Sequence, residues 1–404
     1  MIKRIFIYIA FLLTLTFCPS YLLCSSSKSF SYIDSLSIHI DIYPDGSFKR
    51  IEKRKYIFFD RKDAYKLTPF VFCLFYPYES LNGFSISTSS LSSNAIQITS
   101  SIPTVNNSLS LVNCNAMYNA HIDTDNIVND LLVVYETYTM PIINNNFWDI
   151  LSLEELYPIK EANISISLPD NYDIFFDTYV SEDIKPDFSI TNDNLFKVYQ
   201  WSFGFSEIKR DSIGTILISS NSSWDTISSW FNDQYMPLIH PSHSFLNWAQ
   251  NTFQDKVLTN TAIVNNVLKF IILNVASNNI GKTRHPYIPN SPEYTLDHRS
   301  GDCKDIAVLL VSILRSLSIE SYLVLTNDFM NVDIAGRLPS PYHFNHALVY
   351  LPIQRDITAP FIIDPTIHLS NNKDFSTNYH DGLLLDGARS FFVDLDNVEL
   401  FALN

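Results

Sequence analysis

The sequence of 404 residues lacks a long hydrophobic run that would form a comfortable membrane-spanning helix, which needs about 20 apolar residues. Its strongest apolar run covers residues 5–17, follows the basic start Lys3-Arg4, and is ended by Pro19. This pattern predicts a signal peptide over residues 1–24. We therefore expect an exported protein that is either periplasmic or extracellular.

Two alternatives to cleavage of this leader stay open. The apolar segment could remain as an uncleaved membrane anchor. Cys24, which Ser25 follows, could instead be the lipid-bearing first residue of a lipoprotein, although the bulky Leu23 is unlike the small residues that such processing prefers. Either alternative would attach an otherwise exported chain to a membrane.

Basic residues are scarce: 27 Lys and Arg residues stand against 42 Asp and Glu residues, for a net charge of −15. Because nucleic-acid binding depends on positive charge, nucleic acid is not an expected partner. The apolar fraction of 46% predicts globular domains rather than disorder. About 380 residues remain beyond the leader, more than one core usually organises, so two domains are expected.

Cysteine is also scarce, with five residues in the chain. Cys18 and Cys24 lie in the leader region, Cys73 and Cys114 in the first half, and Cys303 alone in the second half. In an oxidising compartment Cys73 and Cys114 are expected to form a disulfide. Two buried free thiols are the alternative, because a sequence does not show whether the two residues meet in space.

Residues 25–220 are dominated by alternating apolar and polar residues and by β-branched or aromatic runs, which Asn, Asp, Ser and Pro interrupt. The clearest alternation, residues 37–42, precedes a turn at 44–46 and an extended segment at 48–58, which together predict a hairpin. Further strands are predicted at 131–139, 162–168, 196–203 and 214–219. So many short strands favour an antiparallel β-sandwich for this domain.

From residue 221 the periodicity becomes helical, and residues 221–404 form the second predicted domain. Apolar residues recur at helical intervals in two segments, first Trp224, Ile227, Trp230 and Phe231, then Ile263, Val267, Ile271 and Val275. Residues 278–299 lose this periodicity and carry three prolines, which predicts a surface loop. The whole chain is therefore expected to have an α+β fold.

Cys303 lies at the start of a strongly apolar segment. Asp302 is the predicted N-cap and Asp305 the second half of a capping box, so Cys303 falls in the first helical turn. This end of a helix favours an anion such as a thiolate, and Gly301 is expected to let a substrate approach the backbone. A small core residue is the alternative interpretation of Cys303. The predicted inward stripe of the helix is Ile306, Leu309, Leu310, Ile313 and Leu317.

His346 and Asp364 are the two other candidate site residues. His346 begins one predicted strand, residues 346–350, and Asp364 ends the next, residues 361–364. Two adjacent antiparallel strands of these lengths would bring both side chains to one end of a sheet. A helix that carries Cys303 and packs on that end completes a set of nucleophile, base and residue that orients the base.

Three separated motifs give the chain a family resemblance. Residues 301–305, 344–346 and 364–366 are Gly-Asp-Cys-Lys-Asp, Phe-Asn-His and Asp-Pro-Thr. In this order they resemble the bacterial transglutaminase-like superfamily. Weaker similarity extends to residues 219–231 and 382–392, and the strand-rich first half resembles a β-rich domain of unknown function that often precedes such cores in exported proteins.

The resemblance implies a papain-like core, in which a helix with the cysteine packs on an antiparallel sheet. It also implies thiol chemistry on an amide, in which Cys303 attacks, His346 acts as base and Asp364 orients the base. Hydrolysis of a peptide or protein amide and acyl transfer to an amine share the first step, so both stay open. The backbone amide of Cys303 is the first expected oxyanion donor, and Tyr294 is a candidate for the second. No cofactor is implied.

Two alternatives compete with this enzymatic interpretation. His343, His346, His368 and His380 could be metal ligands, but they lack the tight spacing of structural zinc sites, so we expect no metal site. A transglutaminase-like fold could also persist as a catalytically silent binding or scaffolding module in the envelope. The presence of all three side-chain types favours catalysis.

Overall fold

The structure is a computed structural model, which describes residues 30–67, 70–74, 78–88, 96–99, 116–122, 130–153, 155–180, 184, 186–192, 195–204, 214–255, 257–277, 287–327, 333–366, 379–387 and 390–401. The predicted signal peptide, with Cys18 and Cys24, lies outside these residues. So does Cys114, one half of the predicted disulfide with Cys73. Among the helices of the described ranges, none is long and apolar enough to cross a membrane.

The first half of the described chain is almost entirely β-structure. Its strands are β1 (Tyr32–Ile42), β2 (Phe48–Ile57), β3 (Phe70–Leu74), β4 (Glu79–Ser87), β5 (Ile96–Thr99), β6 (Ala116–Ile122), β7 (Asp130–Thr139), β8 (Trp148–Ser152), β9 (Glu161–Pro169), β10 (Phe175–Val180), β11 (Asp187–Asn192), β12 (Phe196–Gly204) and β13 (Gly214–Ser219). A short helix, α1 (Arg61–Tyr65), follows β2. The strands form a seven-stranded sheet in the order β11-β12-β9-β1-β2-β7-β4 and two three-stranded sheets, β10-β13-β8 and β3-β6-β5.

Strands β1 and β2 form the predicted hairpin, with Ile42 paired to Phe48 across the turn. The turn requires a glycine, because Gly46 has a φ of +83° and a Cβ there would lie 2.7 Å from the backbone nitrogen of Asn146. Apolar residues of β1 point into a core between the seven-stranded sheet and the β10-β13-β8 sheet. That core includes Leu36, Ile38, Ile40, Leu151, Ile164, Ile166, Ile216 and Ile218.

The antiparallel arrangement predicted for this half holds for most strand pairs but is wrong for one. Strand β1 runs parallel to β9, with Leu36 opposite Ala162 and Ile40 opposite Ile166. Alternation does not reveal this difference, because side chains alternate between the two faces of a strand whichever way its neighbour runs. The pairing also joins strands that are far apart in the sequence, which a local pattern does not register.

The second half combines helices with a six-stranded sheet. Its helices are α2 (Asp225–Tyr235), α3 (His243–Phe253), α4 (Asn260–Asn274), α5 (Pro292–His298) and α6 (Cys303–Ser316). Its strands are β14 (Ala276–Ser277), β15 (Ser300–Gly301), β16 (Tyr322–Thr326), β17 (His346–Leu351), β18 (Phe361–Ile363), β19 (Asp381–Leu385), β20 (Ser390–Asp394) and β21 (Glu399–Leu400). The sheet order is β20-β19-β16-β17-β18-β21, with antiparallel neighbours except for β18 and β21. The fold is therefore α+β, as predicted.

Helix α6 is buried on nearly every face. Ile306, Leu309 and Ile313 of the predicted stripe are buried, but so are Val308 and Val311 outside it. A helix that is apolar all round lies in a core, so the one-sided stripe was too narrow a prediction. The helix packs on β16 and β17 and against α3, α4 and α5. Its first turn is thereby fixed at one end of the sheet.

The two halves of the chain share part of one core. Ile143, which precedes β8, is buried in the apolar cluster around α6. Trp148 of β8 packs against Tyr287 with their ring centroids 6.1 Å apart and the rings nearly perpendicular. The strand-rich half therefore contributes directly to the packing around the helices of the second half.

Candidate functional site

Helix α6 begins at Cys303, and the predicted capping box is present. The Asp302 side chain accepts hydrogen bonds from the backbone nitrogens of Lys304 (2.9 Å) and Asp305 (3.1 Å). In return, Asp305 Oδ2 accepts from the backbone nitrogen of Asp302 (3.0 Å). The Cys303 side chain is half-buried at this helix end, where the helix dipole favours an anion.

Asp305 also ties the helix start to the preceding loop. Its Oδ1 accepts from the backbone nitrogen of Asn290 (2.7 Å), and its Oδ2 accepts from the Asn290 side-chain amide (3.3 Å). Burial first, and then the neighbouring Asp302 carboxylate, raises the pKa of Asp305 to about 6. Lys304 balances the charge of Asp302 through an ion pair of 2.7 Å. The charged residues next to Cys303 therefore bond mainly to one another and to the loop.

Gly301 is closely packed by the chain itself. A Cβ at this position would lie 2.6 Å from Asp305 Cβ and 3.1 Å from Thr295 Cγ2. The space beside the Gly301 α-carbon, which was expected to admit a substrate, is filled by the Asp305 side chain. The capping box draws that side chain towards Gly301.

Gly301→Ala is expected to destabilise the protein by about 1–3 kcal/mol, because the added methyl group overlaps with Asp305 and disturbs the capping box. Thermal unfolding followed by circular dichroism measures the change. Gly204→Ala is the matched control, since no described atom lies within 4 Å of a Cβ built there. A Gly301→Ala protein that unfolds at the temperature of the Gly204→Ala protein would contradict this packing.

A short helix, α5, occupies part of residues 278–299, where the sequence predicted only a surface loop. Ser291 caps this helix by accepting from the backbone nitrogen of Tyr294 (3.2 Å), and Pro292 lies in its first turn. Serine followed by proline and glutamate is a helix-start signal, which the several prolines of the segment obscured. The helix ends at His298, and the residue that follows it, Arg299, has a left-handed φ of 51°.

His346 begins β17, and Asp364 directly follows β18. These strands are antiparallel neighbours, with Val349 opposite Ile363. His346 Nε2 lies 2.9 Å from Asp364 Oδ2, and both side chains are buried. The structure thus brings these two residues together at one end of the sheet.

Hydrogen bonds hold the Asp364 carboxylate at both of its oxygens. Oδ1 accepts from the backbone nitrogen (2.8 Å) and the hydroxyl (2.7 Å) of Thr366. Oδ2 accepts from the Tyr379 hydroxyl (2.6 Å) in addition to His346. Burial disfavours the charge, but these donors together hold the pKa of Asp364 well below its ordinary value.

Cys303 lies beside this pair. Its Sγ lies 3.9 Å from the carbonyl oxygen of Asn345, the residue before His346, and its side chain is close enough to the imidazole to help raise the pKa of His346. Since Asp364 binds Nε2 of His346, Nδ1 is the ring nitrogen that remains for the thiol. Burial disfavours the imidazolium, but Asp364, and after it Cys303, raise the pKa of His346 well above its ordinary value. This arrangement suits a nucleophile, a base and an acceptor that orients the base.

The segment that leads into His346 is fixed from two sides. The buried Asp381 carboxylate accepts from the backbone nitrogens of Ile334 (2.9 Å) and Ala335 (2.8 Å). From the first half of the chain, Asp177 of β10 accepts from the backbone nitrogen of Leu338 (3.2 Å). No local pattern in the sequence indicates either aspartate, because each contact joins residues that are far apart along the chain.

The other histidines considered as metal ligands have different partners. His343 Nε2 donates to the carbonyl of Leu338 (3.0 Å), and burial lowers the pKa of His343 to about 4. His380 pairs with Asp396 at 2.7 Å, whereas His368 lies outside the described residues. Within the part of the chain that the structure describes, no three His, Cys, Asp or Glu side chains are arranged to hold a metal ion.

The two expected oxyanion donors differ in their surroundings. Tyr294 lies in α5 and is exposed, with its ring stacked on His298 at a centroid distance of 3.8 Å. The Cys303 backbone amide is the first of α6, and the Asp302 carboxylate caps the amides of the next two residues rather than this one. The Asp302 cap therefore does not occupy the backbone amide of Cys303.

The sequence around Cys303 has recognisable relatives. Residues 249–336 match the profile of the transglutaminase-like superfamily. This segment includes Cys303 and ends before His346 and Asp364. The chain thus contains a transglutaminase-like segment, as its motifs predicted. No curated protein sequence matches the chain.

Solved structures add a similarity of fold. A proposed protease from Parabacteroides distasonis superposes with a TM-score of 0.65 at 15% identity, over 91% of this chain and 72% of that chain. A proposed cysteine protease from Cytophaga hutchinsonii reaches a TM-score of only 0.24, at 14% identity over 83% of this chain and 79% of that chain. For the periplasmic domain of TgpA from Pseudomonas aeruginosa the TM-score is 0.25, at 17% identity over 58% and 78%. Of these three, the first shares the fold.

Proposed function

Because residues 249–336 are transglutaminase-like, we propose that this chain is a cysteine-dependent enzyme that acts on amide bonds. Cys303 is the nucleophile, His346 the base, and Asp364 the residue that orients the base. The observation that carries the proposal is the buried hydrogen bond between His346 and Asp364 beside Cys303 at a helix start. A silent module would have no need of a buried carboxylate that binds a histidine next to a thiol.

In the first step, the Cys303 thiolate attacks the carbonyl carbon of an amide. The C–N bond breaks as the His346 imidazolium gives its Nδ1 proton to the leaving nitrogen. The products are a thioester on Cys303 and free ammonia or a free amine. Asp364 accepts from Nε2, which keeps Nδ1 directed to the reaction and stabilises the imidazolium. The backbone amide of Cys303 donates to the developing oxyanion.

In the second step, neutral His346 takes a proton from the group that attacks the thioester carbonyl. The C–S bond then breaks, and the Cys303 thiolate leaves. Water as the attacking group yields a carboxylic acid, and a primary amine yields a new amide. The same three side chains serve both outcomes, so the enzyme is proposed as a hydrolase or an acyltransferase.

We also propose that the enzyme is exported and that its substrates are peptide or protein amides. Residues 1–24 have the basic start and short apolar run of a signal peptide. The net charge of −15 favours basic over acidic partners. Membrane attachment through an uncleaved leader or a lipid on Cys24 is compatible with this location.

The test is the release of ammonia from a glutamine-containing peptide by the purified mature protein, with and without an added primary amine. We expect release in both reactions, and a mass increase of the peptide with the amine if acyl transfer occurs. New amino termini, detected by mass spectrometry, would identify cleavage of peptide bonds. Cys303→Ala should form none of these products.

Two outcomes would contradict the proposal. Equal product formation by the parent and the Cys303→Ala protein would exclude Cys303 as nucleophile. The absence of ammonia, amine incorporation and peptide cleavage in every reaction of the parent would favour the silent binding module instead.

A further inference from the structure

Tyr379 contacts both buried members of the proposed site. Its hydroxyl donates to Asp364 Oδ2 at 2.6 Å, the same oxygen that lies 2.9 Å from Nε2 of His346. Its ring is nearly parallel to the His346 imidazole, with 5.9 Å between centroids and 7° between planes. The Tyr379 side chain is itself buried. A buried hydroxyl and a parallel ring thus act on the same histidine–aspartate pair.

Tyr379 is anchored independently of that pair. It shortly precedes β19, whereas Asp364 follows β18, and the β16-β17 pair lies between these two strands in the sheet. Its ring belongs to a small apolar cluster on the sheet with Val324, Leu348 and Ile362. The position of the hydroxyl is therefore set by the sheet rather than by the carboxylate it binds.

We infer that Tyr379 is a positioning residue: its hydroxyl fixes the orientation of the Asp364 carboxylate, and its ring holds the His346 imidazole in the plane that faces Cys303. The inference rests on the proposed function and adds a fourth side chain to the site, one that acts through Asp364 and His346. No motif of the sequence includes Tyr379.

The hydroxyl and the ring have separable effects. Thr366 holds one oxygen of Asp364 and Tyr379 the other, so the plane of the carboxylate is fixed at both ends. A donated hydrogen bond also draws negative charge from Oδ2. Without the hydroxyl, the carboxylate would hold the proton of the imidazolium more tightly, so the imidazolium would persist to higher pH.

The rate of Cys303 alkylation by iodoacetamide, measured from about pH 5 to pH 10, tests this inference without any amide substrate. As the pH is raised, the alkylation rate of a thiolate paired with an imidazolium increases twice. The first rise marks the formation of the pair, and the second rise marks the loss of the imidazolium proton. In Tyr379→Phe, which keeps the ring, the second rise should move upward by about 0.5–1 pH unit. In Tyr379→Leu, which also loses the ring, alkylation at neutral pH should be about tenfold slower.

Tyr350→Phe is the matched control, because Tyr350 lies on β17 and packs against the same apolar cluster. Its second rise should coincide with that of the parent. The unfolding temperature of each variant is measured together with the alkylation rates. If the role of Tyr379 were merely structural, its replacement would lower the unfolding temperature without changing the pH of the second rise.

Two results would overturn the inference, and they are distinguishable. If the second rise occurs at the same pH in the parent and in Tyr379→Phe, Tyr379 has no positioning role. This result would not contradict amide turnover by the parent. The absence of a second rise in the parent would show that no thiolate–imidazolium pair exists and would overturn the inference, whereas the amide products of the parent and of Cys303→Ala test the proposed function separately.

Discussion

Replacing Asp364 with asparagine is expected to lower kcat/KM for the amide reaction by about 10²–10⁴-fold, although it exchanges a single oxygen for nitrogen. The cause lies in the direction of the hydrogen bonds around the side chain. The backbone N–H of Thr366 can only donate, and its nitrogen lies 2.8 Å from Oδ1. An asparagine must therefore keep its carbonyl oxygen there, which places its NH₂ group at the position of Oδ2.

That NH₂ group would face Nε2 of His346, which lies 2.9 Å from Oδ2. Because two donors do not form a hydrogen bond, the imidazole would accept with Nε2 and carry its proton on Nδ1. Nδ1 is the nitrogen that must take the proton of the Cys303 thiol. The substitution is therefore expected to impair the reaction through the wrong tautomer while the fold stays intact.

Asp396→Asn is the matched control, since Asp396 also binds a histidine, His380, at 2.7 Å, but on a largely exposed part of the chain. It should leave kcat/KM within about twofold of the parent value. The two variants are compared by their steady-state rates of ammonia release. Retention of the parent rate by Asp364→Asn would show that Asp364 does not orient His346.

His346→Ala is expected to lower kcat/KM by at least about 10²-fold, because Cys303 loses its proton acceptor and the leaving nitrogen loses its proton donor. The substitution also leaves the buried Asp364 carboxylate without its cation, which costs stability. His346→Gln separates the two effects: its amide can still donate to Asp364 but does not exchange a proton. It should remain folded and be as inactive as His346→Ala.

His380→Ala is the control for the loss of a histidine, and the rates are again those of ammonia release. We expect it to match the parent. If His346→Gln, folded by circular dichroism, released ammonia as fast as the parent, then another residue would have to serve as the base.

The position of Cys303 could be predicted because helix capping is a local signal. Asp302 and Asp305 are three residues apart, and their exchange of hydrogen bonds fixes where the helix begins. The convergence of His346 and Asp364 followed from a similar regularity, since the start of one antiparallel strand and the end of the next lie at the same edge of a sheet. Both are short-range rules, and together they predict the positions of Cys303, His346 and Asp364.

Features that depend on contacts between distant residues could not be predicted. Tyr379 reaches Asp364 from the other side of the β16-β17 pair, and Asp177 reaches Leu338 from the other half of the chain. Neither contact leaves a periodic pattern in the sequence. The parallel pairing of β1 with β9 could not be predicted for the same reason. Gly301 is a related case. The sequence indicated that a group could approach its backbone closely, but not that this group is the Asp305 side chain.

Cys303 and His346 are proposed to work as a pair that Asp364 holds in place. The most direct test is the rate at which iodoacetamide alkylates Cys303 at about pH 6.5, where a free thiol is only about 1% thiolate. Because Asp364 raises the pKa of His346 well above its ordinary value, the imidazolium persists at this pH and can stabilise a thiolate. We expect the parent to react about 10–100-fold faster than His346→Ala, followed on the peptide that contains Cys303. Equal rates in the two proteins would show that Cys303 is an ordinary thiol and would contradict the pair.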